Sequence, residues 1–178
     1  MRKSRITATI LSLICLFSTC VSALASKTER KVIAQEDFSS GMSGWNNTVK
    51  KDFYVLNERL NVKSTNKALA SIVSDRIFTD NGELEFDMNI TEGEYFSTYL
   101  RYQDDGTYYE LRFYPKRGRV VLFKKVNSGL LTEVKTGYCT IELEINLRVH
   151  VTLLKDEFKV YINDTLVLNA EDKSISSG

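Results

Sequence analysis

Histidine is almost absent from this sequence, and its scarcity narrows the chemistry that the chain can support. His150 is the only one, which excludes a histidine-rich metal site, and a serine–histidine–aspartate triad would depend on this one residue. It stands on the polar side of the segment "NLRVHVTL", with no nucleophile motif nearby. We therefore expect a surface histidine, exposed or hydrogen-bonded, and we predict no catalytic residues.

Cysteine is nearly as rare as histidine. Of the three cysteines, Cys15 and Cys20 belong to an apolar N-terminal segment, which leaves Cys139 alone in the rest of the chain. A single cysteine cannot form an internal disulfide, so the hydrophobic core has to stabilise the fold. Two states stay open for Cys139: a buried, unreactive thiol, or a disulfide to another chain.

Long apolar runs are missing beyond the first 25 residues. There, the basic start "MRKSR" precedes the apolar "ITATILSLICLFSTCV" and the small residues Ala23 and Ala25. This pattern predicts a signal peptide over residues 1–25, secretion of the remaining chain, and no membrane contact after cleavage. The alternative is a lipoprotein anchored at Cys20, for which "FSTC" is a poor recognition motif.

A strong excess of either charge is absent as well. The 24 lysines and arginines nearly balance the 23 acids, for a formal charge of +1. Cleavage after Ala25 would remove Arg2, Lys3 and Arg5 and make this charge slightly negative. Such a balanced chain has no electrostatic reason to bind phosphate backbones or anionic lipid, so we expect no nucleic-acid partner.

What the sequence does contain is a regular alternation of apolar and polar residues. In "ELEFDMNI" the apolar residues share one face, and Glu83, Glu85 and Asp87 share the other. Turn signals such as "TDNG", "DDG" and "PKRG" recur at short intervals, and no stretch keeps a helical period. The pattern predicts an all-β fold, an antiparallel two-sheet jelly-roll sandwich that forms one domain over residues 26–178.

The hairpin "RYQDDGTYYELRFYP", residues 101–115, is unusually rich in tyrosine and arginine. The turn "DDG" at its centre would pair Arg101 with Glu110 and Tyr99 with Arg112, and leave the apolar residues on the opposite face. The predicted ligand-binding platform consists of Tyr99, Arg101, Tyr108, Glu110 and Arg112.

This combination of side chains suits a sugar. Tyrosine rings stack on C–H patches, and arginine and glutamate offer paired hydrogen bonds to hydroxyl groups. The alternative is an ordinary exposed sheet face, stabilised by cross-strand pairs. Farther along, Phe123 and Lys125 are expected beside Glu110 and Tyr108.

Four segments, taken in order, resemble a known family: "EDFSSGMSGWN", "YLRYQDDGTYYELRF", "KKVNSGLLTEV" and "FKVYINDTLVLNAEDKSISSG". They resemble the concanavalin A-like, laminin-G-like jelly-roll modules that accompany secreted bacterial polysaccharide lyases and glycoside hydrolases, including family-16-like domains. The resemblance implies two sheets with a concave face that often binds glycan. In such modules a final strand follows the "SG" at the end, so we expect this chain to lack its last strand.

The resemblance implies a secreted, monomeric, non-catalytic module that recognises a polysaccharide. Two alternatives stay open: a jelly-roll glycoside hydrolase and a laminin-G-like module that binds protein. Many such modules carry structural calcium, which is therefore a candidate cofactor. Asp104 and Asp105 could ligate it, but a turn favours such residues in any case.

One strand allows a direct test of the hydrolase alternative. Family-16 glucanases carry Glu-x-Asp-x-x-Glu on a strand, and Glu83, Glu85 and Asp87 share a face here. The middle acid is glutamate instead of aspartate, and the third acid comes one position early. A solvated outer face is therefore the better interpretation of these three residues.

Overall fold

The parts of the chain that the computed structural model describes are residues 31–47, 53–62, 72–74, 80–104 and 106–178. The chain divides into two units, Met1–Ile33 and Ala34–Gly178, and every element described below belongs to the second. The predicted signal peptide over residues 1–25 lies outside the described residues, as does Asp105.

Antiparallel strands account for almost all of the regular structure. In chain order they are β1 (Trp45–Asn47), β2 (Phe53–Leu56), β3 (Arg59–Val62), β4 (Ile72–Ser74), β5 (Gly82–Asn89), β6 (Phe96–Asp104), β7 (Thr107–Tyr114), β8 (Arg119–Lys125), β9 (Thr132–Tyr138), β10 (Asn146–Leu154), β11 (Glu157–Ile162) and β12 (Thr165–Glu171). A single 3₁₀ turn, Pro115–Arg117, is the helical part of the described chain. None of the described segments forms a helix long and apolar enough to cross a membrane.

Two four-stranded sheets contain most of these strands. Sheet I has the order β12-β11-β10-β5, and sheet II has the order β6-β7-β8-β9. The short strands form two further pairs, β1 with β4 and β2 with β3. The all-β, two-sheet antiparallel fold predicted from the sequence is confirmed.

The hydrophobic core forms where the apolar faces of the two sheets meet. In β10 the alternation buries Val149 and Val151 completely, whereas Arg148 is exposed. The ring of Tyr109 in sheet II lies 4.6 Å from that of Phe158 in sheet I. Because burying one such apolar side chain contributes about 1.5–3 kcal/mol, period-two patterning alone goes far toward specifying this sandwich.

The β6–β7 hairpin begins as predicted but then changes register. Asp104 stands opposite Thr107, so the turn lies where "DDG" places it, and the Asp104 carboxylate accepts a hydrogen bond of 2.8 Å from the Gly106 amide. Farther from the turn Tyr99 faces Glu110 and Ser97 faces Arg112. The predicted pairs Arg101–Glu110 and Tyr99–Arg112 are therefore wrong.

A β-bulge causes this change. The ladder is irregular between Leu100 and Asp104, and Arg101 within it adopts a left-handed φ of 46°. Between the pairs Leu100–Tyr109 and Asp104–Thr107, β6 has three residues where β7 has one, so β6 carries two extra residues and the alternation of its side chains is interrupted there. Arg101 is consequently buried, and Tyr102 takes the side of the hairpin that the sequence assigned to Arg101.

Candidate functional site

Four of the five predicted platform residues lie together on the face of sheet II that points away from the core. They are Tyr99 on β6 and Tyr108, Glu110 and Arg112 on β7. The strand β8 continues this face: Phe123 is opposite Glu110 and Lys125 is opposite Tyr108, as predicted.

Arg101 does not belong to this face. Its guanidinium donates hydrogen bonds to three backbone carbonyls, at 2.7 Å to Ile175, at 2.7 Å to Asp80, and to Lys155. The central carbon of this guanidinium also lies 5.3 Å from the ring centroid of Phe158 in sheet I. Arg101 thus joins segments of the backbone inside the sandwich, and its assignment to the platform is corrected.

Glu110 and Arg112 form a bidentate ion pair at the centre of the face. Arg112 Nε lies 2.6 Å from Glu110 Oε1, and Arg112 Nη2 lies 2.9 Å from Oε2. The two residues are neighbours on one face because they are two positions apart in a strand. The Glu110 side chain is 3% exposed and that of Arg112 is 17% exposed, so both are largely removed from water.

Two aromatic rings hold the Arg112 guanidinium from either side. Its central carbon is 4.6 Å from the ring centroid of Tyr95 and 4.9 Å from that of Phe123. Burial alone would lower the pKa of Arg112, but hydrogen bonds to Glu110 and Tyr114 raise it above its ordinary value. The cation is therefore permanent and fixed in orientation.

A cluster of three tyrosines borders the ion pair. The rings of Tyr99 and Tyr108 meet edge to face at 4.9 Å, and Tyr102 stacks on Tyr108 at 6.0 Å. Burial, followed by the nearby Glu110 charge, raises the pKa of Tyr99 to about 12. The pKa of Tyr108 is raised for the same two reasons, so Tyr99 and Tyr108 stay protonated at neutral pH and can donate as well as accept hydrogen bonds. We call Tyr95, Tyr99, Tyr102, Tyr108, Glu110, Arg112 and Phe123 together the ring-lined face.

Two members of this face, Tyr95 and Tyr102, were not predicted from the sequence, for different reasons. Tyr95 is two positions before Ser97 and four before Tyr99, so continuing the alternation back beyond β6 would have found it. Tyr102 could not be found in this way, because the bulge around Arg101 interrupts the alternation.

Taken together, the ring-lined face offers flat apolar rings beside a rigid pair of opposite charges. Rings suit ligands with C–H surfaces, and a guanidinium held in a fixed orientation suits ligands with adjacent hydroxyl groups. No part of this arrangement supplies an obvious nucleophile, because Glu110 is committed to Arg112 through both oxygens.

The other singled-out residues lie elsewhere. Glu83, Glu85 and Asp87 are exposed on the outward face of β5, as expected. His150 is partly exposed, with Nε2 3.1 Å from Glu83 Oε2, as its polar position predicts. Cys139 is a free, half-buried thiol whose pKa is raised by burial, which disfavours the reactive thiolate.

Comparison with known proteins supports the fold. No protein-family model matches the chain, and a search of curated proteins gave no match. Among solved structures, the carbohydrate binding module CBM66 from Bacillus subtilis is similar, with 22% sequence identity, a TM-score of 0.66, and coverage of 77% of this chain and 84% of that one. Sheep galectin-11 in complex with glycerol gives a TM-score of 0.44 at 12% identity, covering 56% of this chain and 79% of that one. The first similarity shows a shared sandwich architecture.

Proposed function

We propose that this chain is a non-catalytic carbohydrate-binding module that recognises a polysaccharide through the ring-lined face. The observation that carries the proposal is the Glu110–Arg112 pair, bidentate and held between the rings of Tyr95 and Phe123. An ordinary exposed sheet face has no need for a buried ion pair, because desolvating two charges costs several kcal/mol. A binding site gains from one, since the polar groups are already oriented before the ligand arrives.

Sugars match this face in both of their properties. The C–H side of a pyranose or furanose ring can stack on tyrosine, and adjacent hydroxyl groups can accept hydrogen bonds from the Arg112 guanidinium, which Glu110 holds in orientation. The tyrosine hydroxyls add donors and acceptors at little cost in rotamer entropy. The similarity in fold to a Bacillus subtilis carbohydrate binding module is consistent with this function.

We further propose that the module acts outside the cell. The support for export is the sequence of residues 1–25, with its basic start, apolar middle and small residues before position 26. An extracellular module would meet polysaccharides that a cytoplasmic protein does not.

The proposal can be tested with the full chain on an array of immobilised neutral and acidic polysaccharides. For any glycan that binds, Tyr108→Ala and Arg112→Gln should weaken the affinity by about one to two decades, the typical loss for a charged hydrogen bond or a stacking ring. Tyr161→Ala is the matched control, because Tyr161 lies on sheet I and stacks on His150.

The Arg101→Ala variant distinguishes the ring-lined face from the platform predicted from the sequence, which included Arg101. Since Arg101 holds backbone carbonyls inside the sandwich, its loss should lower the melting temperature and leave the glycan affinity of the folded protein unchanged. If Tyr108→Ala and Arg112→Gln both bind every recognised glycan as the parent protein does, the ring-lined face is not the binding site.

A further inference from the structure

The outward face of sheet I brings two carboxylates and the only histidine side by side. His150 on β10 stands directly opposite Glu85 on β5, and Glu83 is the next outward residue along β5. One ligand atom from each of these three side chains lies within 4.8 Å of the other two. His150 Nε2 and Glu83 Oε2 are 3.1 Å apart.

These separations fit a small metal ion. Zinc is bound by histidine nitrogen and carboxylate oxygen at about 2.0–2.2 Å, and tetrahedral geometry then places two ligands roughly 3.3–3.5 Å from each other. The three side chains therefore need only rotamer adjustments to surround one ion. We propose that Glu83, Glu85 and His150 bind a divalent transition metal ion of the zinc type, with water completing its coordination.

The site is built on rigid elements instead of loops. All three residues project from the paired strands β5 and β10, and the ladder between these strands has no bulge. The ring of Tyr161, opposite His150 on β11, stacks on the imidazole at a centroid distance of 5.5 Å and an interplanar angle of 22°. Such support lowers the cost of orienting the ligands.

The local charges also favour a dication. Among basic residues on the same outward face, Arg148 stands opposite Asp87, and Lys159 Nζ lies 2.8 Å from Glu157 Oε2. Lys159 is thus paired with an acid outside the proposed site. Two carboxylates next to an imidazole are groups that attract a divalent ion.

The donor set indicates which cation fits best. Calcium takes six to eight oxygen ligands and magnesium keeps an octahedral shell of oxygens, whereas an imidazole nitrogen suits zinc, nickel and copper. Three protein ligands with one open position is the arrangement of zinc sites that retain water. Zinc is therefore the probe of choice, and calcium and magnesium are its natural comparisons.

The test is a titration of the full-length, ¹⁵N-labelled protein with zinc chloride, observed at the imidazole nitrogens. Because His150 is the only histidine, its signals report this site alone, and metal held by a cysteine leaves them in place. We expect saturable movement of the Nε2 resonance and a rise in melting temperature with zinc. Equal concentrations of calcium or magnesium should neither move the Nε2 resonance nor raise the melting temperature.

Substitutions then separate a site from diffuse surface charge. Glu85→Gln keeps the shape of the side chain but removes a ligand, and it should weaken zinc binding by about tenfold or more. Asp87→Asn removes the same charge from the same face and should leave binding unchanged. If the His150 signals stay fixed up to about 1 mM zinc, or if Asp87→Asn weakens binding as much as Glu85→Gln, the proposal is wrong.

Discussion

Asp172 shows how a single residue can link the stability of this fold to pH. Burial alone would raise its pKa, but hydrogen bonds from Lys124, Ser174 and Tyr109 hold it well below its ordinary value. Lys124 Nζ lies 2.5 Å from one Asp172 oxygen, and the Tyr109 hydroxyl lies 2.7 Å from the other. The ionised form therefore belongs to the folded state.

The sign of the effect follows from the lowered pKa. A carboxylate whose pKa is lower in the folded protein stabilises the fold above its unfolded value of about 3.9, and this stabilisation is lost as the pH falls below that value. We expect the melting temperature to fall on acidification from pH 5 to pH 3. The Asp172→Asn variant should have a lower melting temperature than the parent at pH 7. Its melting temperature should fall less than that of the parent between pH 5 and pH 3. Parallel melting curves for the two proteins would contradict this role of Asp172.

At the scale of elements, the crossing of β9 and β12 depends on a glycine. A Cβ atom added to Gly137 would lie 1.9 Å from the carbonyl oxygen of Val167. That oxygen belongs to the backbone of the other sheet and cannot move without shifting β12. Position 137 thus requires glycine, because only a residue without a side chain allows the two strands to approach this closely.

Gly137→Ala should accordingly destabilise the sandwich by about 1–3 kcal/mol or more, the usual range for an overpacked site. Lys135→Ala, two positions earlier on β9 and exposed, is the control and should change stability little. Denaturant unfolding of both variants measures the difference. Equal stability of Gly137→Ala and the parent would mean that β9 and β12 do not approach so closely in solution.

The strands and the turn of the β6–β7 hairpin could be predicted from the sequence. Alternation identified the buried face of β10 and the exposed acids of β5, because each strand carries a clean two-residue period. The turn of the β6–β7 hairpin was also found, since "DDG" carries its own backbone preference.

The bulge at Arg101 could not be found in the same way. What favours it lies far away in the sequence: carbonyls of Asp80, Lys155 and Ile175 that receive the guanidinium. The residues "LRYQ" contain no local signal for a left-handed backbone conformation at Arg101. Tertiary contacts therefore determine this conformation. This local bulge turns Arg101 into the sandwich and brings Tyr102 to the outward face, so neither position could be predicted from the alternation.

On the scale of the whole molecule, the two sheets carry chemically different outward faces. Sheet II presents the ring-lined face, and sheet I presents Glu83, Glu85 and His150. The interior between them is apolar and closely packed. If both proposals hold, the module has two ligands of unrelated chemistry, one on each sheet.

Such sites should act independently. Sites that share no side chains generally give additive free energies, so saturating zinc should raise the melting temperature without changing glycan affinity. Glycan titrations with and without zinc measure this directly, and Glu85→Gln provides the control with weakened zinc binding. If zinc changes the glycan affinity of the parent protein by more than about threefold and does not do so for Glu85→Gln, the two sheets are coupled.

The buried guanidinium of Arg101 has a consequence for the order in which the chain folds. Its partners are 21, 54 and 74 residues away in sequence, so the contacts cannot all form until sheet I, the β6–β7 hairpin and the final segment have come together. Interactions that form after the rate-limiting step slow unfolding without accelerating folding. We therefore expect Arg101 to slow unfolding more than it accelerates folding, so Arg101→Ala should raise the unfolding rate constant and change the folding rate constant little.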